Sequence, residues 1–488
     1  VERASVARTG IRRREFAKAV VAQAPAPAAG RTRAIVQGWS NGPTRPNLLF
    51  VFADQWRAQD VGYAGNADVR TPHLDALART AVNFRNAVSG CPVCSPYRAS
   101  LVTGRYPLTH GVFLNDVLLN DDAVSIAQAY NQAGYDTAYI GKWHLDGNHR
   151  SAFIPRDRRQ GFAFWRALGC THNYNNSFYC GDEDVRLRWE GYDAIAQTRE
   201  AQRYIREHAG DRPFAMFLSW GPPHAPYHTA PEKYRALFRP ESLSVRPNVP
   251  EADKNKARET LAGYCAHIAA LDDCIGDLLA TLSEKGVAKN TILVFTSDHG
   301  DMLYSHGHQK KQQPWEESIR VPFLLRYPAA LGTAGRTIDM PINTPDIMPT
   351  LLGLCGIDVP DTVEGMDFSA VVKGQLPVPE NAALISCPSP FGQWSRKTGG
   401  REYRGVRTER YTYVRDLDGP WLLYDNIADP YQLTNLVNRP ECARLQERLE
   451  RLLAEKLAKT HDDFRSGWDY IKQWAYEVDD SGTVVYTN

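Results

Sequence analysis

Five short and nearly continuous apolar runs, Leu48–Ala53, Thr137–Ile140, Phe214–Ser219, Ile292–Thr296 and Phe323–Arg326, alternate along residues 46–378 with stretches of helical periodicity. Such an alternation is what a mostly parallel sheet covered on both faces by helices requires, so the chain reads as an α/β fold. The helical stretches have visible ends. Thr71-Pro72 places a capping hydroxyl before a proline at the first helical position, and Leu74, Leu77, Ala78 and Ala81 follow on one face. Leu261, Tyr264, Ile268, Leu271, Ile275, Leu278 and Leu282 recur at three- and four-residue steps and stop before Gly286, which predicts one long core-facing helix over 254–285.

A chain of 488 residues has room for one large core and a smaller one. The break is expected where Gly374, Pro377 and Pro379 interrupt both periodicities, leaving 46–378 as the large domain and 379–488 as the small one. In the latter, Ala383–Cys387, Tyr411–Arg415 and Trp421–Tyr424 read as antiparallel strands, and Leu445, Leu449, Leu452, Leu453 and Leu457 as a helical stripe. Residues 1–45, rich in Ala, Pro, Gly and Arg, read as leader or linker. There, Arg13-Arg14-Glu15-Phe16-Ala17-Lys18 has the look of a twin-arginine export signal and Ala22-Gln23-Ala24 of a cleavage site. Such a leader directs a chain to the periplasm or the medium; a plain basic tail in its place leaves it cytoplasmic.

The balance of 57 Lys+Arg against 56 Asp+Glu gives a net charge of +1 without a long basic run, which argues against a nucleic-acid partner. No apolar stretch approaches the roughly 20 residues of a helical membrane span. Nine cysteines are too few for a disulfide scaffold and odd in number. Cys170 and Cys180 flank a short loop that a disulfide would close in an exported protein, while Cys265, Cys274 and Cys355 fall on apolar helical stripes.

Ligands of open parallel sheets bind beyond the carboxyl ends of the strands. After four of the runs stand unusually polar residues: Asp54-Gln55; Gly141-Lys142-Trp143-His144; Trp220 to Pro226 with His224 among them; and Ser297-Asp298-His299-Gly300-Asp301. Four such ends converging on one rim point to an active site. A further segment, Cys94-Ser95-Pro96-Tyr97-Arg98, is a helix start with Ser95 as cap and Pro96 in the first turn, so Cys94 lies at the positive end of a helix dipole, where anions are favoured. Cys91 and Cys94 lack the second C-x-x-C of a zinc site; a dipole-lowered thiol is also what a redox pair would use.

Cys94 to Arg98, continued by Leu101-Val102-Thr103-Gly104-Arg105, resembles the signature of the type I, formylglycine-dependent sulfatases of the alkaline phosphatase superfamily. The resemblance extends to Pro46–Gln55, Gly141–His144, Ser297–Gly300, Glu316–Pro322 and Leu423–Leu433, in their usual order. It implies an alkaline-phosphatase-like fold and hydrolysis of sulfate monoesters, aryl or carbohydrate. It also implies oxidation of Cys94 to formylglycine by a formylglycine-generating enzyme. By resemblance, one hydroxyl of the hydrated aldehyde attacks sulfur, and loss of the other hydroxyl's proton ejects sulfate. A poor, oxygen-shielded electrophile needs both this nucleophile and positive charge around it.

The matching positions make Asp54, Gln55, Asp298, His299 and the modified Cys94 the ligands of a metal, usually calcium in the family. Gln55 and His299 depart from the commonest Asp and Asn, which keeps magnesium and manganese in consideration. Arg98 and Lys142 are expected to orient hydrate and sulfate, His144 to act as base in the elimination, His224 as acid for the leaving oxygen, and Lys311, rather than Lys310, to bind sulfate. His172, Arg401, Arg404 and Arg407 are candidates for an anionic-substrate subsite. The altered ligand set also resembles that of the phosphonate monoester hydrolases and phosphodiesterases of the superfamily, whereas Lys142 with His144 resembles sulfatases.

Overall fold

Strand Asn47–Asp54 is buried along its whole length and sends Leu48, Phe50 and Phe52 into one hydrophobic core and Leu49, Val51 and Ala53 into another. A strand with two dry faces has no place for alternate polar residues, which is why it reads as an unbroken apolar run. The computed structural model describes residues 45–210 and 212–488. The leader reading, with Arg13-Arg14 and Ala22–Ala24, lies outside the described residues. Among these, no helix is long and apolar enough to cross a membrane.

The central sheet has ten strands, in the spatial order Arg336–Ile338, Val82–Phe84, Phe323–Arg326, Thr291–Ser297, Asn47–Asp54, Phe214–Pro223, Asp136–Lys142, Phe164–Leu168, Phe178–Cys180 and Arg186–Arg188. The middle of this order, from Thr291–Ser297 to Phe164–Leu168, is parallel. Phe323–Arg326 runs antiparallel to both its neighbours. Helices Pro72–Ala78, Asp193–His208 and Lys254–Glu284 supply one core, and Cys94–Thr103, Ile126–Gln132 and Thr344–Cys355 the other, so the sheet is sandwiched as expected. All seven stripe positions of the long helix, from Leu261 to Leu282, are buried. Thr71 precedes its helix without capping it; its hydroxyl instead bonds Asp75 at 3.1 Å and receives the Gly62 N–H at 2.7 Å.

Register sets the rim of the sheet. Phe52 lies opposite Thr296 on one side and Ser219 on the other, and Ser219 lies opposite Gly141. Three adjacent parallel strands therefore stop close to one level, at Asp54, Lys142 and Ser297, and the fourth, Phe214–Pro223, passes that level at Ser219 and runs on to Pro223.

A second sheet is antiparallel, in the order Ala382–Cys387, Tyr403–Thr408, Tyr411–Asp416 and Gly419–Asp425. Helix Ala443–Lys459 packs Leu449 and Leu453 against one face, with Leu384, Val406, Tyr413 and Leu423. The other face, through Ile385, Tyr403, Val414 and Leu422, packs on Met302, Trp315 and Ile319. Strand Tyr403–Thr408 escapes the sequence pattern because it carries buried arginines. Arg404 is fully buried and paired with Asp462, and Arg407 makes a bidentate pair with Glu316 at 3.0 and 3.1 Å. Arg401 is paired with Asp416 at 2.6 Å. The subsite reading of Arg404 and Arg407 is thereby corrected: both guanidiniums are internal counter-charges. Cys170 and Cys180 are buried free thiols rather than a disulfide. Cys265, Cys274 and Cys355 are core residues as expected.

Removing one partner of a buried pair strands the other charge, so Arg404→Ala should destabilise the fold by about 3–5 kcal/mol. A lowered thermal midpoint is the expected result; an arginine serving only as a surface contact for a ligand would leave the midpoint unchanged.

Candidate active site

Helix Cys94–Thr103 is buried at all ten positions and shows no apolar stripe. It begins two residues earlier than its sequence suggests, with Val93 extended before it. Ser95 is therefore not the cap. Its amide donates to Asn115 Oδ1 at 3.0 Å and its hydroxyl to the His144 carbonyl at 2.7 Å, satisfying by tertiary contact what a cap would satisfy locally. Cys94 still occupies the first helical turn. Its Sγ lies 2.9 Å from Lys311 Nζ, 3.3 Å from His299 Nε2, and 3.6 Å from both Asp54 Oδ1 and Lys142 Nζ. Burial and Asp54 push the thiol up, but Lys142, Lys311 and His299 outweigh them and hold it well below the ordinary thiol range.

Arg98, one turn on, has both terminal nitrogens engaged by the protein, while its Nε is buried without a hydrogen-bond partner. Nη1 donates to the Lys142 carbonyl and to Ser219 Oγ, each at 2.7 Å; Nη2 donates to Asp54 Oδ2 at 3.2 Å and to Asp298 Oδ2 at 2.9 Å. One guanidinium thus ties together residues from four adjacent strands and their ends. Lys142 Nζ adds a contact of 2.6 Å to Asp54 Oδ2. Gly141 is required beside it: at φ +106° a Cβ would stand 2.0 Å from the Ser219 carbonyl oxygen.

Ligand atoms of Asp54, Cys94, Asp298 and His299 all lie within 4.8 Å of one another. His299 Nδ1 is engaged with the Gly300 carbonyl at 2.9 Å, which leaves Nε2 facing the group, 3.4 Å from a carboxylate oxygen of each aspartate. Burial and the neighbouring Asp54 push Asp298 up to about 6, while Lys142 and Lys311 hold Asp54 well below the carboxylate range despite its burial. Gln55, next to Asp54, is held by its amide nitrogen. Its Nε2 donates to Asp301 Oδ2 at 2.8 Å and to Tyr227 Oη at 3.2 Å, leaving Oε1 buried without a hydrogen-bond partner. Two mutually repelling carboxylates, a fixed imidazole nitrogen and an orphaned amide oxygen fit a divalent cation of the oxygen-preferring kind.

The two histidines differ in their surroundings. Asp116 is an acceptor held well below its usual range by His144 and Arg150 against burial, so His144 Nε2, 3.0 Å away, must be the donor. His144 Nδ1 is buried without a hydrogen-bond partner. Burial would lower this imidazole, but Cys170 and Asp116 raise it to about 8. His224 engages the Ala225 carbonyl through Nδ1 at 2.8 Å and stacks on His172 with ring centroids 4.4 Å apart. Burial, Lys311 and His172 push it well below the ordinary histidine range. His172 therefore does border the site, unlike Arg404 and Arg407, which were grouped with it.

Lys311 rather than Lys310 reaches Cys94. Its neighbour Gln312 is clamped by Phe391, whose carbonyl accepts from Nε2 at 2.9 Å and whose amide donates to Oε1 at 3.2 Å, and by Tyr403 Oη, which donates to the Gln312 carbonyl at 3.0 Å. Sequence reasoning missed Asn115 and Asp116, in a loop, and Tyr227, which opens the short 3-10 helix Tyr227–Thr229. Asp301 stood in the polar Ser297–Asp301 run but was given no role.

The sulfatase family model matches residues 46–357, and that of the C-terminal part of N-sulphoglucosamine sulphohydrolase matches 305–459. The chain belongs to the sulfatase family. An ulvan-active sulfatase of Formosa agariphila is 46% identical over 441 residues, 89% of this chain and 85% of that protein. An endo-4-O-sulfatase of Bacteroides thetaiotaomicron is 32% identical, covering 80% of this chain and 88% of that one. A solved structure from the metabolism of multiple glycosaminoglycans by Bacteroides thetaiotaomicron superposes with a TM-score of 0.78 at 29% identity, over 88% of this chain and 99% of the other. The enzyme is a sulfuric ester hydrolase, and its fold is alkaline-phosphatase-like, as the resemblance implies.

Removing the Lys311 ammonium should lower kcat/KM about 10²–10³-fold, the range for losing one charge-stabilising donor. Steady-state assays of Lys311→Ala beside Lys310→Ala check this: the second variant should stay close to the parent enzyme.

Proposed function

We propose that this sulfatase hydrolyses sulfate monoesters borne on a carbohydrate, with Cys94 as precursor of its nucleophile and Asp54, Gln55, Asp298 and His299 as ligands of a divalent metal, calcium. One observation carries the reading: Cys94 Sγ stands 2.9 Å from Lys311 Nζ and 3.6 Å from Lys142 Nζ and Asp54 at the start of a buried helix. The ulvan-active and endo-4-O-acting relatives support the carbohydrate part. Conversion of Cys94 to formylglycine, by a formylglycine-generating enzyme, supplies as its hydrate an oxygen nucleophile that can be regenerated. The metal, when bound, supplies positive charge to the sulfate and to the nucleophilic oxygen.

The remaining work falls to side chains. Lys142 and Lys311 hold the anionic ester and offset charge developing on the leaving oxygen. Arg98 holds the two metal-binding carboxylates in place rather than touching the ester. His224 delivers a proton to the leaving oxygen from Nε2, its one free ring nitrogen; the negative charge of a bound sulfate opposes the influence of Lys311 and favours that protonated state. His144 accepts at Nδ1 the proton whose removal releases sulfate.

Mass spectrometry of the peptide spanning Cys94 should find the aldehyde or its hydrate when the protein is made with the maturation enzyme. Cys94→Ala should keep its fold and lose turnover. In side-by-side assays a sulfated oligosaccharide or aryl sulfate should be preferred over an aryl phosphonate monoester; the reverse preference would assign the chain to phosphonate chemistry.

The raised His144 gives a sign for the pH profile. A base must be uncharged, so kcat should climb as pH passes through about 8 and level off above it, as His144 loses its proton. A profile flat across that window would remove His144 from the elimination step.

A further inference from the structure

Residues at the far end of the chain reach the histidine that the proposed mechanism uses as base. Asp116, which accepts from His144 Nε2, is itself gripped by Arg150: Nε donates to Oδ1 and Nη2 to Oδ2, each at 2.7 Å. The opposite side of that guanidinium is covered by the Tyr486 ring, whose centroid lies 3.3 Å from the guanidinium carbon. The backbone is clamped at the same place. Arg150 N–H donates to the Thr487 carbonyl and Thr487 N–H to the Asn148 carbonyl, both at 2.9 Å, in a short parallel bridge between His149 and Thr487. Asn148 Nδ2 donates to the Val485 carbonyl at 3.0 Å, and His149 Nδ1 meets Thr487 Oγ1 at 2.8 Å.

This tail buries little of itself: Val485 is 66% and Tyr486 41% exposed, while the Asp116 and His144 side chains are each 2% exposed. The strap therefore adds little to the core and is placed instead to exclude water from the Arg150–Asp116 pair. A bidentate pair with one face dry is held more rigidly than one open to solvent.

We propose that Asp116, Arg150 and Tyr486 are positioning residues for His144, with the 485–487 strap fixing the Asp116 carboxylate that orients the imidazole. The inference rests on His144 acting in the reaction. The groups facing the ring are Asp116, Lys142 and Cys170, with Arg150 behind Asp116; Asp116 is the one bonded to it. Thinning the strap should therefore loosen that bond and move the ring's titration as well as the rate. A purely structural tail would change stability alone.

The test uses the mature, metal-loaded enzyme with histidine ring nitrogens labelled for NMR, alongside steady-state kinetics. Tyr486→Ala, at an exposed position, should lower kcat roughly tenfold with KM little changed, as for a small misplacement of a catalytic group. It should also shift the His144 titration below its parent value. Tyr486→Phe, which keeps the ring, should restore both. Asp116→Asn should shift the titration further and lower kcat on the order of 10²-fold. Tyr486→Ala with parent kcat and an unmoved His144 titration would overturn the proposal. If His144→Ala keeps its turnover, the base assignment fails, and the ring titration alone then decides whether the strap positions His144.

Discussion

Burying positive and negative groups together in one small volume is the constraint on which this enzyme depends, and the Arg98 guanidinium is the point where it is resolved. Asp54, Asp298, Arg98 and His299 are withdrawn from water, and Lys142 and Lys311 nearly so. Any one of these charges alone would cost several kcal/mol to bury. They coexist because each is opposed at contact distance, and because adjacent parallel strands in fixed register deliver several of them to one rim. Arg98 links backbone order to charge order, since it bonds the carbonyl of one strand end, the hydroxyl of a second and the carboxylates of two more. A shift of one residue in any of those strands would break the set.

The second sheet has a role beyond its own small core. Its inner face packs on Met302, Trp315 and Ile319, and Tyr403 and Phe391 hold Gln312 by its main chain and side chain. Lys311 is thus presented to Cys94 from a segment bracketed by both sheets, and its ammonium is as well fixed as those on the strands themselves. Loop residues of this kind can serve in a reaction only when such a scaffold over-determines their backbone.

What the sequence made legible follows from how each element is buried. The central strands were readable because two dry faces demand unbroken apolar runs, and the long helix because its one covered face repeats regularly. Cys94, Lys142, His144, His224, Asp298 and His299 stood out because they follow those runs or share the signature segment. Elements with internal ion pairs were not readable. Tyr403–Thr408 contains two buried arginines and a glycine, so its pattern looks like a charged loop, and its arginines like substrate contacts. Asp116 and Arg150 lie in loops 34 residues apart, with no periodicity to link them. Local signals also misled where tertiary partners replaced local ones: Ser95 resembles a cap, but Asn115 does that work.

The depth of Cys94 bears on the order of events in the cell. With 1% of its surface accessible and its helix enclosed on every side, the thiol offers no approach to another protein once the chain has folded. On the proposed conversion to formylglycine, the oxidising enzyme would have to meet residues 94–98 while they are still extended, ahead of collapse of the sheet around them. Under that reading folding speed and maturation compete, and a molecule that reaches its native state first would keep its thiol sealed inside.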